Sequence, residues 1–317
     1  MRDRYGTDAR AARLRRRLMA RVPCRWWPGI AATLALWLLA PRPAAAQSQP
    51  LLIVAAENFY GDVARQLAGP GVRVVSILQN PDADPHLFEP GAATARLVAD
   101  ADILIYNGAH YDAWIERLLA NRGRRARRVL AVATLMHRTG TNVNPHLWYD
   151  PQTMPTLALA LSMQLDALDP AAADSRRVRL QAFLRSLQPM TAQIARMRQL
   201  YAGAPITATE PVVDDLTGAI GLDMRNGAFQ LSIMNDSEPG PRETAQFEQS
   251  LRTRAVRLLI YNRQTSGEVV QRMLQIARQA SVPRVAVSET EPAGLHYQAW
   301  MLQTLRDLEQ ALAEQRR

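Results

Sequence analysis

Residues 174–201 contain no glycine and carry a single apolar stripe, Phe183, Leu187, Met190, Ile194 and Met197, at spacings of four and three. That spacing returns to one face of an α-helix. The stretch is therefore predicted as one helix, longer than a globular domain normally holds. Pro189 lies inside it. Proline has no amide hydrogen and crowds the preceding turn, so the helix should kink or split there. A stripe of this length fits a strut joining two lobes better than a coiled-coil arm.

On both sides of the strut, short apolar runs alternate with helical patterns. Before it, strands are expected at 51–57, 72–78, 102–108 and 127–133, with helices at 58–69, 90–101, 111–123 and 152–168. After it, strands are expected at 205–209, 228–234, 256–262 and 283–289, with helices at 212–222, 241–254, 267–280 and 297–312. Strand–helix alternation calls for mostly parallel sheets covered by helices. The expected fold is α/β: two Rossmann-like lobes, 47–170 and 202–317, joined by one long rigid helix at 171–201.

Residues 1–46 are set apart from this pattern. A basic segment precedes an apolar run at 29–40 and a small-residue stretch ending at Ala46. This is the order of a secretory signal peptide, expected to be cleaved after Ala46. The run is too short for the roughly 20 residues of a spanning helix. The leader holds ten Arg and two Asp, which takes the formal charge from +9 for the whole chain to +1 for residues 47–317. Nucleic-acid binding thereby loses its electrostatic support. The single cysteine, Cys24, precedes the apolar run, so residues 47–317 hold no thiol for a disulfide, a lipid anchor or a soft metal. A soluble, monomeric, periplasmic protein is expected.

Ligands of open parallel sheets bind beyond the carboxyl ends of the strands. Four metal-capable residues fall there: His86 and His146 in the first half, Glu210 and Glu289 in the second. The two histidines share a Pro-His-Leu-aromatic context, with Pro85 and Pro145 restricting the backbone ahead of each ring. Two imidazoles and two carboxylates form a borderline-hard donor set suited to Mn, Zn or Fe(II). Glu291 competes with Glu289, since both lie in "SETEP". His110, His137 and His296 are read as non-ligands, and the Trp and Tyr residues beside the histidines as walls of the crevice.

"AAENFYGDVARQLAG", "NPDADPHLFEP", "DILIYNGAHYDAW", "NPHLWYDP" and "NDSEPGP" together resemble the periplasmic metal-binding proteins of zinc and manganese ABC transporters. The likeness runs in order along essentially all of 47–317. It implies two α/β lobes on one long helix, with metal held between the lobes by His86, His146, Glu210 and Glu289. Glu210 falls where manganese-type members carry Glu and zinc-type members His. Glu289 falls where the family usually has Asp. The His-rich acidic loop of zinc members is missing, and residues 259–265 replace an acidic stretch.

The expectation is thus a non-enzymatic solute-binding protein of an ABC importer. It would capture one divalent transition metal ion (Mn, Zn or Fe(II)) as cargo and deliver it to an inner-membrane permease. The rivals are a secreted metallohydrolase and a periplasmic metal-storing chaperone. The first would need a catalytic metal motif such as HExxH, which the sequence lacks.

Overall fold

The computed structural model describes residues 50–81, 85–120, 127–140 and 143–314. The expected leader at 1–46 lies outside the described residues, as do Asp82 and Asp84 of the His86 loop.

The first lobe is built from β1 (Leu51–Glu57), α1 (Asn58–Ala68), β2 (Val72–Leu78), α2 (Ala92–Asp100), β3 (Ile103–Tyr106), α3 (Ala113–Ala120), β4 (Arg128–Ala131), α4 (Val132–Leu135) and α5 (Thr153–Leu168). Its strands pair in parallel in the order β2-β1-β3-β4. Val54, Ala56 and Leu104 face one core and Ile53, Ala55, Ile103 and Ile105 another, as the two-residue period of a strand requires. Both faces are covered, which explains why β1 reads as a continuous apolar run.

Two helices follow, α6 (Ala173–Ser186) and α7 (Gln188–Tyr201), separated only by Leu187. The break falls two residues before Pro189, which stands in the first turn of α7, where its missing amide hydrogen is not needed. The predicted strut is therefore bent. Its stripe of Phe183, Leu187, Met190, Ile194 and Met197 is buried throughout.

The second lobe comprises β5 (Pro205–Ala208), α8 (Asp214–Ile220), β6 (Asp223–Arg225), α9 (Gly227–Met234), α10 (Pro241–Arg252), β7 (Leu259–Asn262), α11 (Glu268–Gln279), β8 (Arg284–Val287) and α12 (Tyr297–Glu314). Its strands are parallel in the order β6-β5-β7-β8. The order repeats that of the first sheet. One expectation fails here. Residues 228–234, read as a strand, form α9, and the edge strand is the three-residue β6. A short apolar run fits a buried strand and a buried helix equally well. The helix is set by Phe229 and Ile233, which pack four residues apart against one core while Leu231 between them is exposed.

One continuous core joins Ile53 and Ile105 of the first sheet, Met190 and Met197 of α7, and Ile206 and Ile260 of the second sheet. Among the described residues, no helix is long and apolar enough to cross a membrane.

Candidate metal centre

Of the four strand-end residues singled out in the sequence, His86, His146 and Glu289 come together, and Glu210 is joined to them through Asn262. Pro85 begins a single 3-10 turn, Pro85–Leu87, that carries His86 after β2. His86 is the exposed member, its side chain 30% accessible. A second such turn, Leu147–Tyr149, begins directly after His146, which is buried to 1%. Glu210 follows β5 by two residues and precedes the turn Pro211–Val213. Glu289 follows β8 by two residues and is buried to 1%.

One ligand atom each from His86, His146 and Glu289 lies within 4.8 Å of the others. Glu289 Oε2 is 3.2 Å from His86 Nε2 and 3.5 Å from His146 Nε2. Tetrahedral bonds of about 2.0–2.2 Å would set neighbouring donor atoms roughly 3.3–3.6 Å apart. The 3.5 Å separation falls on that edge length and the 3.2 Å separation just below it. Glu210 lies outside the 4.8 Å group. It is linked to it by Asn262, whose Nδ2 donates to Glu210 Oε2 at 3.4 Å and to Glu289 Oε1 at 2.7 Å.

Each buried donor has one end hydrogen-bonded and the other without a hydrogen bond among the described residues. His146 Nδ1 meets Asn144 Oδ1 at 2.7 Å, which directs Nε2 toward the crevice. Glu289 and Glu210 each give one oxygen to Asn262. The remaining atoms, His146 Nε2, Glu289 Oε2 and Glu210 Oε1, are buried and carry no hydrogen bond among the described residues. Unpaired polar atoms at such depth are costly. A divalent cation among His86, His146 and Glu289 would satisfy the first two, with the Glu210 carboxylate one amide away through Asn262; a two-nitrogen, two-oxygen set suits a borderline transition metal.

The electrostatics follow from this packing. Burial works to raise the Glu289 carboxyl, but the His146 and His86 imidazoles beside it outweigh that and hold the group well below the ordinary carboxylate range. The Glu210 carboxyl is raised, by burial first and by the Glu289 charge second, against hydrogen bonds from Thr265 and Asn262.

Glu291 stands apart. Its backbone bonds to Asn58, and burial with the neighbouring Asp62 charge pushes its carboxyl up to about 9. Between the two glutamates of "SETEP", the one among the imidazoles is Glu289. His296 pairs with Asp62 at 2.8 Å, and neither His110 nor His137 joins the cluster. Tyr111 and Trp148 form the aromatic wall, with Tyr111 5.1 Å from the His86 ring and Trp148 5.3 Å from the His146 ring.

Two residues were not singled out by the sequence reading. Asn144 receives the His146 amide and ring through Oδ1, and its Nδ2 donates to Pro211 O across the crevice at 2.7 Å. Asn262 joins the two carboxylates. The Asn-x-His spacing of "NPH" was the available signal for Asn144. For Asn262 there was only the loss of acidic residues at 259–265.

A family model described as zinc-uptake complex component A, periplasmic, matches residues 53–311. Among curated relatives, the manganese ABC transporter substrate-binding lipoprotein PsaA of Streptococcus mitis is 27% identical over 138 residues, 40% of this chain and 44% of its own length. The zinc-binding protein TroA of Treponema pallidum (strain Nichols) is 25% identical over 163 residues, 50% of this chain and 52% of its own. The chain spans about half the length of the curated relatives it matches. The solved structure of the periplasmic zinc binding protein TroA from Treponema pallidum superposes with a TM-score of 0.70 at 18% identity, covering 84% of this chain and 99% of that one. At that identity the likeness is one of fold.

Proposed function

The chain belongs to the family of the periplasmic zinc-uptake complex component A, and from that membership we propose that it captures a divalent transition metal ion between its lobes and delivers it to the permease of an ABC importer. The ion is cargo. His86 and His146 supply nitrogens through Nε2, and Glu210 and Glu289 supply oxygens. The observation that carries this reading is the cluster of one ligand atom each from His86, His146 and Glu289 within 4.8 Å, with Glu289 Oε2 spaced from both imidazoles much as donors around one small cation would be. His86, the exposed member, is the donor an arriving ion meets first.

The same reading takes residues 1–46 as a cleaved leader and the remainder as a soluble periplasmic monomer, with lobes at 47–170 and 202–317 and the strut at 171–201. Each outer range holds one complete parallel sheet, which supports the division. The position of Cys24, ahead of the apolar run, supports the soluble form.

Elemental analysis tests the proposal. The protein is purified from a periplasm without added metal or chelator, beside a His86→Ala/His146→Ala double variant. Near-stoichiometric Mn, Fe or Zn in the parent and none in the variant is expected. No metal in either, and no uptake on titration, would sink it.

A further inference from the structure

We propose that Asn262 is a specificity-determining residue of this centre: its one side-chain amide engages one oxygen of each carboxylate, limiting Glu210 and Glu289 to a single donor oxygen apiece. The inference rests on the metal-capture reading above and adds to it a reason for the number of donors.

Asn262 is the last residue of β7 and is 2% exposed. Its orientation is fixed from the opposite end, because Oδ1 accepts the Gln264 amide at 3.0 Å. Its own amide donates to Thr209 Oγ1 at 3.3 Å. Nδ2 is thereby turned toward the acids. It lies 2.7 Å from Glu289 Oε1, 3.1 Å from Thr265 Oγ1 and 3.4 Å from Glu210 Oε2. A reversed amide would put Oδ1 against two carboxylates, so the geometry admits one orientation.

A carboxylate can offer a metal one oxygen or two. With Glu289 Oε1 and Glu210 Oε2 turned to the amide, Glu289 Oε2 and Glu210 Oε1 are the carboxylate oxygens best placed to meet an ion, and these are the two that carry no hydrogen bond among the described residues. The donor count is then four: two imidazole nitrogens and two oxygens. Four donors at short range suit Zn²⁺, which accepts a tetrahedron. Mn²⁺ is harder and takes more oxygen ligands, so it gains from two-oxygen carboxylates. A neutral amide also adds no third negative charge beside the two acids. Removing it frees both carboxylates to turn and chelate.

The test compares Zn²⁺ and Mn²⁺ binding to the parent, Asn262→Ala and Asn262→Asp by competition against a chelating dye. X-ray absorption spectra of the Mn²⁺-loaded proteins give the coordination number. The Asp variant keeps an acceptor for the Gln264 amide but cannot donate, so it serves if the Ala variant does not fold. The expected result is a preference for Zn²⁺ over Mn²⁺ that shrinks roughly tenfold in both variants, in line with the effect of orienting partners on metal sites. The Mn²⁺ coordination number should rise. An equal loss of affinity for both ions with an unchanged coordination number would overturn the inference and leave metal capture standing. A parent protein that binds neither ion would remove the metal-capture reading itself.

Discussion

Glu57 and Asp112 bring two carboxyl groups together at the carboxyl ends of β1 and β3, where both are buried to 2% or less. Burial, with the neighbouring Asp112 charge, raises the Glu57 carboxyl well above its ordinary value, and burial raises Asp112 to about 6. Asp112 is partly compensated by the amides of Asn107 and Gly108, whereas neither Glu57 oxygen has a well-formed hydrogen bond among the described residues. For an acid whose folded pKa is raised, the unfolded chain releases its proton first. Stability is therefore greatest below the unfolded value and falls as pH rises, across 3.8 to about 6 for Asp112 and from 4.5 upward for Glu57. Glu57→Gln removes one of these penalties. It should raise the melting temperature of the metal-free protein at about pH 8, by about 2–4 °C per kcal/mol relieved, and change it little at about pH 4. Calorimetry showing the same shift at both pH values would mean the penalty is not one of charge. Neither this pair nor Asn144 and Asn262 was legible as such in the sequence. The four strand-end residues stood out because their chemistry and position coincide. An amide that holds a carboxylate carries no comparable mark, and Asn262 meets Glu289 from 27 positions away.

At the scale of elements, α1 matters more than its amphipathic pattern suggests. Asn58, Asp62 and Gln66 recur every fourth residue, so they share one side of the helix. Each bonds to the second lobe. Asn58 exchanges two hydrogen bonds with the Glu291 backbone, at 2.7 and 3.1 Å. Asp62 accepts the Tyr297 amide at 3.0 Å, satisfying a donor that the first turn of α12 would leave bare, and also pairs with His296. Gln66 and Gln298 donate to each other at 3.2 and 2.8 Å. This seam holds the segment that carries Glu289. Asn58→Ala leaves a buried peptide group unsatisfied and should cost about 1–3 kcal/mol. Amide exchange should quicken at 289–291 in particular; unchanged protection there would show that the seam does not hold the segment. The alternation of strands and helices was readable, and so was the proline break, because period and proline act locally. The seam and β6 were not. The seam depends on two distant segments meeting, and a three-residue edge strand is too short to display a period.

The whole molecule is organised around a centre to which both halves contribute residues. The sequence allowed two repeated α/β halves and a strut, but it did not reveal that the halves share one core running through α7. Direct hydrogen bonds also cross between them. Tyr149 donates to Ser288 O at 2.9 Å, Tyr297 to Trp148 O at 2.8 Å and Asn144 to Pro211 O at 2.7 Å. Arg138 reaches Asp150 and Asp215 at 3.3 Å each, spanning both halves. A wide hinge motion would have to break these bonds and expose Trp148, which is fully buried. Separating a shared apolar core costs in proportion to the area returned to water, about 25 cal/mol per Å². Capture should then be a local event, with His86 on its exposed turn as the moving donor and the lobes fixed. Small-angle scattering should give the same radius of gyration with and without bound metal, while exchange protection rises at 86–88. A marked compaction on metal addition would contradict the shared core as the element that fixes the lobes and would point to α6 and α7 hinging at Leu187 instead.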